Sequence, residues 1–299
     1  MAGEDGASEK RKHDHANTSR KRRSDAGAIK FQKRDEYALT WMGLQYGIRL
    51  DHLQWLLGRF QGKGAARRNW VSESSARDVV RRWELGKWAR HGSIRAHEPF
   101  WVWPTRVGLR KIGLPFSYRD LAATGLDDLS HLYAMNEIRL FLGDDEEATQ
   151  WISERQLLHG LIRPKGKDLL HRPDAEIHWA DGQIFAVEVE LSLKKPSSLA
   201  ENLMELLRGE EYLRLKTAYG WQVARAMSRR SRSRYDEIWY FAPRTLRKHL
   251  QRERARLVEQ GDVTEQEAKR LFIRWYPLAE TDEEVRQEEQ EDDETLCFR

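Results

Sequence analysis

The segment 172–195, Arg-Pro-Asp-Ala-Glu-Ile-His-Trp-Ala-Asp-Gly-Gln-Ile-Phe-Ala-Val-Glu-Val-Glu-Leu-Ser-Leu-Lys-Lys, limits the fold more than any other stretch of the chain. Two strand-like runs flank Asp181-Gly182, a dipeptide suited to a tight hairpin turn. Side chains alternate between the faces of a strand. Phe185, Val187, Val189 and Leu191 therefore share one face, and Ile184, Ala186, Glu188 and Glu190 share the other. Two glutamates one pleat apart on an apolar strand repel each other, and burial sharpens the repulsion unless a cation or a basic group lies between them.

Register decides whether Asp174 joins them. A two-residue Asp-Gly turn pairs Asp174 with Val189 and turns it to the opposite face. A three-residue turn, Ala180-Asp181-Gly182 with glycine in the left-handed position, pairs Trp179 with Gln183 and sets His178 opposite Ile184 and Asp174 opposite Glu188. The second register is the expected one, because it gathers three carboxylates at one end of one sheet face. Hard oxygen donors grouped in this way suit Mg²⁺ or Mn²⁺.

The rest of the chain divides around this hairpin. Residues 1–34 are rich in Lys, Arg, Ser and Gly and read as a disordered basic tail. Residues 35–115 read as helix, helix, helix, hairpin, helix. Leu39, Met42 and Tyr46 fall at helical spacing, and Leu53, Leu56, Leu57 and Phe60 form the inner face of a second helix opened by Asp51. Ser72 or Ser74 caps a third helix with the apolar stripe Val79, Val80 and Trp83, leaving Arg77, Arg81 and Arg82 toward solvent. An extended stretch from Ser93 to Trp103 and a helix from Thr105 to Ile112, ended by Gly113, complete a winged helix-turn-helix. In that arrangement the third helix enters the major groove, so Arg77, Arg81 and Arg82 are the candidate DNA-binding residues. Trp101 and Trp103 are read as packing under the hairpin.

Residues 116–150 read as a helical connector, and 151–279 as an α/β domain. In that domain Ser198-x-x-Glu201 boxes the start of a long helix through Leu203, Leu206, Leu207, Tyr212 and Leu215. A strand (236–241), a basic helix (244–257) and a last strand (271–276) follow, so the fold class is mixed α/β. The Arg/Ser-rich segment 225–234 reads equally as a phosphate-tracking segment and as a loop. His171 and His178 read as ordinary surface residues.

Charge narrows the partners. The chain of 299 residues carries a net +4, but residues 280–299 hold ten acidic and two basic side chains, a net of −8 that leaves +12 for residues 1–279. A basic body attracts polyanions by releasing their counterions, which points to double-stranded DNA. The acidic tail reads as a solvated, disordered segment. Cys297 is the single cysteine, which excludes an internal disulfide and a cysteine-based zinc cluster and suits a reducing, cytoplasmic setting. No apolar run is long enough to span a bilayer, so no membrane partner is expected.

Pro173-Asp174 followed after the hairpin by Glu188-x-Glu190 resembles the PD-(D/E)xK core of restriction-endonuclease-like nucleases. Glu190 stands where that motif usually has lysine, and Lys194 or Lys195 is a candidate to take the lysine's role. The resemblance implies metal ligation by Asp174 and Glu188, joined by Glu154 from the preceding helix, and catalysis by Asp174, Glu188, Glu190 and Lys194.

Over roughly 35–280 the order of elements is also similar to the replication-relaxation family of plasmids, phages and integrative elements. The phrases that carry this are Thr105-x-x-Gly108-Leu109, Leu129-Ser130-His131-Leu132 with Asn136-Glu137, and Glu188-Val189-Glu190-Leu191-Ser192 with Lys194. That family implies DNA binding in replication, relaxation or mobilisation, with replication or relaxosome proteins and a second copy of the chain (a homodimer) as further expected partners. The function read from all this is a DNA-binding protein of a mobile element with a divalent-metal-dependent endonuclease site. The alternative is a non-catalytic regulator or accessory factor built on a degenerate nuclease fold.

Overall fold

The computed structural model describes residues 29–61, 70–142, 149–159, 171–208, 212–217, 220–225 and 233–276. Residues 1–28 of the expected basic tail, the acidic tail and most of the Arg/Ser-rich segment 225–234 lie outside them, whereas the last part of that tail is ordered: Phe31 packs edge-on against Trp88, and Lys33 and Arg34 open the first helix. The described chain begins with α1 (Lys33–Leu44), β1 (Ile48–Arg49), α2 (Leu50–Gln61) and α3 (Glu73–Leu85). Ser72, rather than Ser74, caps α3, its hydroxyl accepting from the Ser75 amide at 3.2 Å. Ala76, Val79, Val80 and Trp83 recur at helical spacing and are buried. Arg82 does not face solvent as expected. Its guanidinium pairs with Asp35, a fully buried carboxylate that also accepts from Trp83 Nε1 at 2.9 Å. Two further expectations fail. Tyr46 lies beyond α1 at φ 73°, and Phe60 is 42% exposed because the helix turns it away from the core.

After α3 come β2 (Ala89–Gly92), β3 (Trp101–Pro104) and α4 (Arg106–Lys111). β3 pairs antiparallel with β1 on one side and with β2 on the other. The extended stretch read as Ser93–Trp103 is therefore mostly the loop of a hairpin. Thr105 caps α4 by accepting from the Gly108 amide at 3.0 Å. A Cβ on Gly108 would fall 1.9 Å from the Trp88 carbonyl oxygen, so only glycine lets α4 lie against that backbone. That is the physical content of the Thr105-x-x-Gly108 phrase.

The expected connector is α5 (Leu126–Leu142), and it is a packed spine. Leu129, with Leu132 and Tyr133, joins Trp101, Trp103 and Leu121 in one core cluster. Ala134, Met135 and Ile138 join the main sheet in another. Asn136 Nδ2 donates to Gly47 O and Arg139 donates to Trp41 O, both at 2.9 Å, tying α5 to the end of α1 and the turn beyond it.

The C-terminal half contains β4 (Thr149–Ser153), α6 (Glu154–Leu158), β5 (Ala175–Trp179), β6 (Ile184–Val189), α7 (Pro196–Arg208), β7 (Tyr212–Thr217), β8 (Gly220–Arg225), β9 (Glu237–Ala242), α8 (Arg244–Glu259), α9 (Glu265–Ala268) and β10 (Leu271–Trp275). The main sheet runs β10-β9-β6-β5-β4. β4, β5 and β6 form an antiparallel meander, while β6, β9 and β10 are parallel and joined by helical crossovers. β7 and β8 pair as a separate hairpin. Phe185, Val187 and Val189 pack toward α5. Ile184, Ala186, Ile238, Tyr240 and Ala242 pack toward α7 and α8.

Two readings of α7 are corrected. Pro196 opens it, since its ring already has a helical φ and the first turn needs no amide donor there. Ser198 therefore sits inside the first turn instead of capping it. The helix stops at Arg208, and Tyr212 and Leu215 belong to β7. Among the described residues no helix is long and apolar enough to cross a membrane.

Candidate functional site

The turn has the three-residue register. Trp179 N donates to Gln183 O at 2.9 Å, Gly182 stands at φ 90°, and His178 pairs with Ile184 and Ala175 with Val187. Asp174 therefore emerges opposite Glu188, and its Oδ2 accepts from the Val189 amide at 2.8 Å. One pleat on, the Glu190 amide donates to Phe241 O at 2.9 Å, which anchors β6 to the end of β9. The side chains of Glu188 and Glu190 are buried, and Asp174 is partly open.

Each carboxylate holds its own basic partner. His131 Nε2, from α5, lies 3.1 Å from Asp174 Oδ2. His171 Nε2 lies 2.9 Å from Glu188 Oε1, and Lys194 Nζ lies 2.6 Å from Glu190 Oε2. Burial alone would raise Asp174, but the His131 charge and hydrogen bonds from His131 and Val189 hold it below the usual carboxylate range. Glu188 moves the other way, raised by burial and by the charge of Asp174. The two acids thus titrate apart, as close carboxyl pairs do. Burial lowers His131, yet Asp174 outweighs it and lifts the imidazole to about 9. Lys194 is raised by its hydrogen bond to Glu190 against the pull of burial, so it stays an ammonium ion at neutral pH.

Glu154 is the first residue of α6. Its amide donates to the Asp174 carbonyl at 2.9 Å, and its carboxyl is raised by lost hydration and by the charge of Asp174. The cluster thus holds Asp174, Glu188, Glu190 and Lys194, with Glu154 beside Asp174. The arginines of α3 are separate from it and engaged on their own helix or its neighbour. Arg77 pairs with Glu73 and Arg81 with Asp78, and Arg82 pairs with Asp35.

Sequence reasoning missed four members of this face. His131 and His171 are partly buried partners of the acids, and His171, like His178 on Glu176, is not the ordinary surface residue expected. Glu176, on β5 one pleat after Asp174, is fully buried. It is held by Tyr235 Oη at 2.9 Å, by His178 Nε2 at 2.8 Å and by Arg234. Its alternation with Asp174 was the available signal. The fourth is Tyr240, paired in register with Glu188 and fully buried, whose hydroxyl has no hydrogen-bond partner among the described residues. Burial and the charges of Glu188, Glu190 and Asp174 raise this phenol well above its ordinary range.

Hard carboxylate oxygens beside an orphaned buried hydroxyl fit a hydrated divalent cation. Among the described residues, however, no three His, Cys, Asp or Glu side chains converge as a preformed metal cage. The imidazoles and the ammonium of Lys194 neutralise the cluster, so a cation would enter only as they yield. Comparison of the chain with protein-family models, curated proteins and solved structures finds no match.

Proposed function

We propose that the chain binds double-stranded DNA and hydrolyses its phosphodiester bonds at the Asp174–Glu188 cluster with Mg²⁺ or Mn²⁺. The observation that carries this reading is the register of β5 and β6, which sets two carboxylates opposite each other and a third one pleat away beside an ammonium group. The order of elements around the hairpin agrees with the PD-(D/E)xK resemblance. The three helices with a β1-β3-β2 sheet agree with a winged helix. By the replication-relaxation resemblance, the protein serves replication, relaxation or mobilisation of a plasmid, phage or integrative element. It would work in the cytoplasm, with replication or relaxosome proteins or a second copy as partners.

Asp174 and Glu188, with Glu154 at the rim, would hold the cation, which lowers the pKa of a bound water and neutralises charge on the phosphate. Lys194 stays charged and so cannot take a proton from that water. It would neutralise the phosphate, while Glu190 would orient the attacking water and accept its proton.

A second reading has its own support. All three acids already carry basic partners, which suits a binding-only regulator or accessory factor. Incubation with supercoiled plasmid and Mg²⁺ or Mn²⁺ separates the two. Catalysis predicts metal-dependent nicking, lost in both Asp174→Ala and Glu188→Ala. Binding without nicking, unchanged in those variants, supports the regulator.

A further inference from the structure

The helix expected to grip DNA is electrically neutral. α3 carries three arginines against Glu73, Asp78 and Glu84, and each arginine has a carboxylate partner. α8 is different, with six Arg and Lys residues against Glu253 and Glu259. Leu246, Leu250 and Leu257 bury its inner side. Arg244, Lys248 and Arg252 follow one another at four-residue spacing, so they form a single ridge that advances about 6 Å per step. Lys248 and Arg252 are exposed and have no ion-pair partner among the described residues. Two of the other charges are spent, Arg256 on Glu253 and Arg254 on the Leu271 carbonyl.

The ridge also begins in the right place. β9 runs parallel to β6, and Pro243–Arg244 leave it next to Phe241, whose carbonyl accepts from Glu190. α8 therefore starts at the edge of the sheet where the acids gather and points its positive dipole end there.

We propose that the outer face of α8 holds the phosphate backbone of duplex DNA, leading one strand past the Asp174–Glu188 cluster, and that α8 contributes more phosphate contacts than α3. This rests on the DNA-binding reading above. The partner class follows from charge. A ridge of cations at helical spacing, in which Lys248 and Arg252 have no ion-pair partner among the described residues, matches a row of phosphates, and each contact releases counterions and adds to the salt dependence of binding.

The test is fluorescence anisotropy of a labelled short duplex titrated with the full chain over a range of salt. Three proteins are compared: the parent, Lys248→Glu with Arg252→Glu, and Arg77→Glu with Arg81→Glu. These side chains lie on outer helix faces, and circular dichroism checks that the fold is kept. The α8 pair is expected to bind at least about 10-fold more weakly and to flatten the slope of log affinity against log salt by about 2. The α3 pair should stay within about threefold of the parent. An α8 pair with parental affinity and slope, or an α3 pair that loses as much or more, overturns the assignment to α8 while leaving DNA binding standing. A parent with no salt-dependent affinity overturns both.

Discussion

Single residues reveal the site through what they lack. Tyr240 buries a hydroxyl that finds no partner among the described residues, and such a group costs about 1–3 kcal/mol. Tyr240→Phe removes the cost, so the metal-free protein should melt about 2–4 °C higher in a thermal scan. A lower melting temperature would mean that the hydroxyl is satisfied in the folded chain. His52 gives a prediction in pH. It is buried, stacked on Tyr133 at 4.2 Å, and neither ring nitrogen has a hydrogen-bond partner among the described residues. Burial lowers its pKa from 6.5 to about 4. The unfolded chain then takes up a proton that the folded chain refuses. This group's share of stability is intact above 6.5 and drains away as pH falls toward 4, by up to about 3 kcal/mol. Urea unfolding of the parent and His52→Phe at pH 7 and pH 4.5 checks it. The variant should lose less stability between the two, and an equal loss would refute the assignment.

At the scale of elements, buried polar ties position the helices as firmly as apolar stripes do. Asp35 on α1 takes both Arg82 and Trp83 Nε1 of α3. Asp35→Ala leaves both donors without their acceptor and should lower unfolding free energy by about 3 kcal/mol, measured in urea. A change below about 1 kcal/mol would show that water replaces the carboxylate at little cost. Periodicity made the elements legible: the stripe of α3, the alternation of β6 and the Asp-Gly turn are local signals, and each predicted what formed. The ends were less legible. Tyr212 and Leu215 continue the spacing of α7, yet pairing with β8 claims them for a strand. Arg82 reads as a solvent-facing residue because its partner lies 47 positions away. The site was half legible for the same reason. Asp174, Glu188 and Glu190 share one hairpin, whereas His131 comes from α5 and Tyr240 from β9, and only the folded chain brings them together.

Across the whole molecule, α5 joins what the sequence divides. One of its sides packs under the β2–β3 hairpin and the other on the main sheet, and His131 near its start reaches Asp174. The helical N-terminal half and the acidic cluster therefore share one spine, and the basic ridge of α8 begins at the same sheet edge as the acids. On the proposed reading, this cluster exchanges its own histidine partners for a divalent cation. Isothermal titration of Mn²⁺ into the full chain near pH 7.5 tests it most directly. Saturable binding is expected, abolished by Asp174→Asn, with about one proton released per ion as the raised His131 gives up its charge. Absence of saturable binding, or binding that survives Asp174→Asn unchanged, would contradict it.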